Sequence, residues 1–262
     1  MLSPELKEHL RTQLAALARA RFLFVKKPAR RPQTSSRLFF GTSSPGAERF
    51  FALEFEHQEE LLRLDLAADL AGAGAATIPA WEAVEGPLYV VCTHGKRDRC
   101  CALHGRPLYD ALRHETESGR VWQSTHVGGD RFAGNVVVFP HGLYYGRVGP
   151  ADADRLVAAH TAGEIDLDRY RGRSAFSFSV QAAEHALRES EGLVGIEDLT
   201  LLGSARNAKG EWRIRFRTPD SAVHELHVAE SRADEPTYLT CESVEPRRAR
   251  RWGVSAHRVV SP

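Results

Sequence analysis

The chain has 262 residues, 42% of them hydrophobic and 26% charged, and a formal net charge of +1. That is ample material for a core, so a metal here would serve chemistry rather than bulk stability. The balanced charge argues against a nucleic-acid partner, and no apolar run approaches the length of a membrane span.

The first residues, MLSPELKEHLRTQL, lack the apolar core and cleavage site of a secretory signal, so the cytoplasm is the expected compartment. Thiols stay reduced there, and clustered cysteines serve more often as metal ligands or catalytic groups than as disulfides. Residues 3–19 read as a helix: Ser3 suits its cap, Pro4 its first position, and Leu10, Leu14 and Leu17 share one face. RFLFV at 21–25 reads as a buried strand. A basic, Ser/Pro-rich loop that contains KKPARR (26–31) then runs to about Ser44. RFFALEF is a second strand, QEELLRLDLAADL a second helix, and AGAGAATIPA a small-residue linker. Residues 1–80 thus form an N-terminal α/β extension.

From Gly86 the pattern becomes regular. PLYVVC is an apolar strand of a sheet interior, and RPLYDALRHETESG is a helix with Pro107 near its start and Gly119 past its end. VWQST and NVVVF are strands, PHG is a turn holding His141, and LYYGRV is a fourth strand whose Tyr144 and Tyr145 pack on a sheet face. PADADRLVAAHTAG closes the unit as a helix, with Asp152 and Asp154 in its first turn. The order β-α-β then β-β-α over 86–163 is the thioredoxin-like arrangement, in an α/β protein. Residues 164–262 begin with a helix around VQAAEHALRES. They continue with IEDLTLLGSA, EWRIRFRT, AVHELHVAE and TYLTCESV as antiparallel strands. RRARR at 247–251, followed by Trp252, reads as solvated loop or tail charge.

Three of the four cysteines fall in CTHGKRDRCC. Cys92 ends a buried strand, and ligands gather at the carboxyl ends of strands in open sheets. Cys100 and Cys101 follow in the polar loop before the next helix. His126 ends the second strand, and Val127-Gly128-Gly129-Asp130 forms a turn. If the two strands are neighbours, Cys92, one of Cys100 and Cys101, and His126 converge. Thiolates with imidazole suit zinc or an iron–sulfur cluster. Zinc usually takes closer cysteine pairs than the C-x8-C of Cys92 and Cys101, and the long loop fits a [2Fe–2S] object better. Paired glycines permit the backbone to wrap such a group.

VCTHGKRDRCCALHGRPL, HVGGDRFAGNVVVFPHGLYYGRV and the later YLTC resemble the sucrase/ferredoxin-like family, most strongly over 86–149. The resemblance implies a thioredoxin-like [2Fe–2S] ferredoxin relative. Family members that bind the cluster use a C-x8-C pair and an H-x-G-G-H pair. Carried over by position, this names Cys92, Cys101 and His126 as ligands, with Asp130 where the family has its second histidine. Cys100, His94 and Cys241 are further candidates for the fourth position, and Arg131 competes for Asp130 as an ion-pair partner. Lys96, Arg97 and Arg99 would offset cluster charge and guide an acidic redox partner protein. The sequence gives no support to a sucrase, which needs two carboxylates flanking a sugar cleft. Two other functions fit the same residues. One is a thiol or peroxide enzyme using Cys100 or Cys101 among neighbouring cations. The other is a cluster-less family member that acts as a binding module.

Overall fold

The computed structural model describes residues 2–27, 34–71, 81–208 and 210–261. Most of the KKPARR segment and nearly all of the expected AGAGAATIPA linker lie outside the described residues. Helix α1 (Pro4–Ala15) starts as its sequence dictates: the Ser3 hydroxyl accepts the Leu6 amide at 3.2 Å, with Pro4 next in line. It stops at Ala15, short of the expected residue 19. The expected strand at 21–25 shrinks to β1 (Val25–Lys26), and Phe22 and Phe24 stay exposed. An unbroken apolar run does not say which side is covered, and this one skirts a sheet edge. The expected loop to Ser44 contains β2 (Ser36–Thr42), paired along its whole length with β3 (Arg49–Phe55). The second expected helix divides into a 3-10 turn, Gln58–Arg63, and α2 (Leu66–Ala71). The short β4 (Glu82–Ala83) adds to β3. Leu6, Leu10, Leu53, Leu61, Leu64 and Leu66 form the apolar centre of this N-terminal layer.

The central sheet follows. Strand β5 (Leu88–Cys92) is buried throughout and leads into α3 (Arg99–Glu115). Next come β6 (Val121–Ser124), β7 (Val136–Phe139) and β8 (Leu143–Tyr145). Then α4 (Ala153–Thr161) is entered through a 3-10 turn at Pro150–Asp152. β5 and β6 are parallel, joined by the α3 crossover; β7 is antiparallel to β5, and β8 to β7. This is the β-α-β, β-β-α thioredoxin-like arrangement that the sequence suggests. The edges are extended by β1 beside β6 and by β9 (Tyr170–Arg173) beside β8. Tyr89, Val91, Leu108, Leu112, Val136, Val138 and Leu156 pack between the sheet and its helices. Leu88, Val90 and Trp122 face the opposite side, where Phe39 and Phe50 of the N-terminal layer cover them.

One correction matters for the site. Helix α3 begins at Arg99, not at Arg106, so Pro107 sits inside it and Cys100 and Cys101 occupy its first turn rather than a loop.

Beyond the sheet, α5 (Phe178–Glu191) packs on a four-stranded antiparallel sheet. Its strands are β10 (Thr200–Arg206), β11 (Trp212–Arg217), β12 (Val223–Arg232) and β13 (Arg250–Ser261), in that order. Val180, Ala183 and Leu187 meet Ile214, Phe216, Leu226 and Val228 there. Two expectations fail in this region. TYLTCESV forms turns rather than a strand, tied down by one bridge between Thr237 and Arg247. Arg250 and Arg251, the last two residues of RRARR, instead open β13 rather than lying in a loop or tail, and Arg250 pairs with Glu230 across the ladder at 2.6 Å.

Candidate metal centre

The chain leaves β5 at Cys92, whose amide donates to the Asn135 carbonyl at 3.0 Å. It turns at once: the Arg97 and Asp98 amides both donate to the His94 carbonyl. Asp98 then caps α3. Its side chain accepts the Cys100 amide at 2.8 Å, and its carbonyl accepts that of Cys101 at 3.1 Å. One helical turn further on, Gly105 is pressed against the strand end; a Cβ there would stand 2.1 Å from the Cys92 carbonyl oxygen. The absent side chain lets the helix bring Cys101 against Cys92.

His126 arrives from the end of β6, where the parallel register sets Ser124 beside Cys92. Its amide donates to His94 Nδ1 at 3.3 Å, which joins the two loops. Gly128 and Gly129 follow at φ of 95° and 77°, in the left-handed region that favours glycine. Asn135, fully buried, donates from Nδ2 to the Gly129 carbonyl at 3.0 Å and fixes that turn.

The outcome is a compact donor group. One ligand atom each from Cys92, Cys101 and His126 lies within 4.8 Å of the others. Both cysteines are buried, and the His126 side chain is 24% exposed. The Asp130 carboxylate reaches two of these groups. Its Oδ1 lies 3.0 Å from His126 Nδ1 and 3.8 Å from Cys101 Sγ. Asp130 therefore turns to the histidine and the thiol, whereas Arg131 lies over the Phe132 ring.

Cys100 belongs elsewhere. Successive helical residues point about 100° apart, and its sulfur is bonded to that of Cys241. The Cys241 amide donates to the second Asp98 oxygen at 3.0 Å. Neither Cys100 nor Cys241 offers a thiol to the Cys92 group in this structure. His94 acts on the group through its bond to the His126 amide. Lys96, Arg97 and Arg99 are exposed around the loop, and His141 pairs with Glu48 at 3.3 Å in its turn.

The electrostatics of the pair suit a cation. A hydrogen bond from Cys101 holds the Cys92 thiol below its ordinary range, helped by the His94 and Val127 amides and the His126 charge against the effect of burial. Cys101 moves upward, because it gives that hydrogen bond, is buried, and faces negative Cys92, Asp130 and Asp98. A metal held by the two sulfurs would displace the proton of this hydrogen bond. His126 Nδ1 is buried without an aligned hydrogen-bond partner, despite its nearness to Asp130. The donor set of two sulfurs and one nitrogen, with a carboxylate beside it, fits a soft or borderline centre.

Sequence reasoning missed Asp98 and Asn135. The first carried a signal: an aspartate just ahead of a cysteine pair is a good N-cap. The second carried none, since its role depends on a turn six residues away.

A family model described as sucrase/ferredoxin-like matches residues 5–172. Two curated relatives are called altered inheritance of mitochondria protein 32. That of Meyerozyma guilliermondii is 41% identical over 95 residues, covering 32% of this chain and 34% of the relative. That of Eremothecium gossypii is 34% identical over 106 residues, covering 34% of this chain and 33% of the relative. The chain thus spans about a third of the length of these relatives. Among solved structures, a thioredoxin-like [2Fe–2S] ferredoxin from Aquifex aeolicus is 23% identical at a TM-score of 0.30 and covers 34% of this chain and 93% of its own. A cysteine-to-serine variant of that ferredoxin is 21% identical at the same TM-score, covering 33% of this chain and 99% of its own.

Proposed function

This chain belongs to the sucrase/ferredoxin-like family, and we propose that it is a [2Fe–2S] protein that transfers electrons or senses redox state. Cys92, Cys101 and His126 would hold the cluster, with Asp130 at the fourth position. The observation that carries this reading is the meeting of two buried thiols and an imidazole at the ends of two parallel strands. The cluster would supply one-electron chemistry. The protein's part is to exclude water, present its donors, and hold charge nearby. Lys96, Arg97 and Arg99, exposed on the first loop, offer the positive rim that an acidic redox partner would meet. Histidine ligation would raise the potential above that of an all-cysteine plant-type centre.

A second reading rests on how closely the donors stand. Atoms within 4.8 Å of one another suit a single tetrahedral ion as placed, whereas two irons would need the donors to stand further apart. One experiment separates the two. The protein is purified anaerobically and assayed for iron, acid-labile sulfide and zinc, with visible and EPR spectra. The cluster reading expects about two irons and two sulfides per chain, lost in Cys92→Ser and Cys101→Ser and altered in the spectrum of His126→Ala. A colourless protein that stays free of sulfide after reconstitution overturns it, and stoichiometric zinc in its place supports the single ion.

A further inference from the structure

Beside the candidate centre, three arginines gather on one phenyl ring. The guanidinium carbon of Arg171 lies 3.4 Å from the Phe132 ring centre, that of Arg131 4.5 Å and that of Arg147 5.4 Å. They come from three segments: the Gly128–Phe132 turn, the chain after β8, and β9. Among the described residues, none of the three forms an ion pair or donates a side-chain hydrogen bond. Arg171 is half-buried. Unpaired charge of one sign at a partly covered surface is costly and uncommon. Burial and the charges of Arg131 and Arg147 pull the Arg171 pKa down to about 10.

The arrangement is also built into the backbone. A Cβ at Gly129 would stand 2.7 Å from the Arg171 guanidinium, and one at Gly146 would stand 2.5 Å from its Cδ. Two glycines thus keep open the channel in which Arg171 stacks. Arg147 adopts a left-handed φ of 59°, unusual for a residue with a side chain, and its amide donates to the Phe132 carbonyl at 2.7 Å.

We propose that Arg131, Arg147 and Arg171 form a binding site for a phosphate-bearing small molecule, next to the candidate metal centre and distinct from it. A carboxylate would be matched by one guanidinium; three planar forks on one ring suit a polyvalent oxyanion that accepts several paired hydrogen bonds. The site stands on its own residues, whatever the neighbouring thiols hold.

Isothermal titration of the full chain in chloride buffer, with inorganic phosphate in one arm and ATP in another, tests this. Binding of either at one equivalent is expected, and ATP alone binding identifies a carried phosphate rather than the free ion. Arg171→Gln and Arg147→Gln should each weaken binding about tenfold or more. Arg171→Lys should not restore it, because charge without the fork is insufficient. Arg147 is exposed, so its variant keeps the test open if Arg171→Gln fails to fold. Iron and sulfide assays on the same samples show separately whether the centre is loaded. No binding of either probe, equal binding by wild type and both variants, or binding of polyglutamate alone overturns the proposal.

Discussion

Gly105 sets the distance between the two buried thiols, because any side chain there meets the Cys92 carbonyl. Gly105→Ala must push α3 away from β5, at a cost of about 1–3 kcal/mol for overpacking against backbone. The expected outcome is a lower melting temperature together with reduced metal content, and a variant that loads metal like wild type would refute the spacing argument. At this scale the sequence was informative where chemistry and position coincide. Cys92 and His126 end strands whose apolar pattern is clear, and Cys101 lies at a readable spacing. The roles of Cys100 and Cys241 were hidden because helical phase was hidden. Pro107 drew the expected start of α3 from Arg99 to Arg106, which left both adjacent cysteines in a loop where either could face the centre. Once both are helical they diverge, and only Cys101 turns inward.

Among the elements, those with a clear apolar pattern and punctuation were legible: β3, β5, β6, β7, α4 and α5. β13 was not, because its opening arginines lie on an exposed face and find partners only across the ladder, as Arg250 does with Glu230. TYLTCESV has strand-like composition but no neighbour with which to form a ladder. Helix α4 carries a consequence for acid stability. His160 is buried between Tyr89 and Tyr145, its Nε2 has no partner, and burial, with the His141 charge second, lowers its pKa to about 4. An unfolded chain takes up that proton near 6.5. Between these values the unfolded state binds more protons, so stability falls as pH drops through the window, by up to about 3 kcal/mol, and is unaffected above it. His160→Phe should remove this part of the slope in denaturant titrations run from pH 7 to pH 4. An unchanged slope would mean that other groups carry it.

Across the whole molecule, two fastenings join the C-terminal sheet to the rest. One is a buried ionic group: Glu184 on α5 pairs with Arg188 at 3.2 Å and lies 3.5 Å from Arg173 on β9, while the Tyr170 hydroxyl donates to its other oxygen at 2.9 Å. The other is the Cys100–Cys241 disulfide with the Asp98 bond beside it. A crosslink spanning 141 residues restricts the unfolded chain, a stabilisation of up to about 5 kcal/mol by loop-closure entropy. Cys241→Ser should lower the melting temperature of oxidised protein, and reductant should bring wild type down to the same value; a wild type indifferent to reductant would contradict this. Sequence reasoning had no access to either fastening, since both depend on contacts between distant parts of the chain. The Asp98 bond also imposes an order of events. A ribosome makes the thiol-bearing helix long before it makes the residue 143 positions further on that completes the aspartate's bonding. Until then that carboxylate is half-engaged, and the finished electrostatic setting of the Cys92, Cys101 and His126 group arrives only when the segment that carries Cys241 docks.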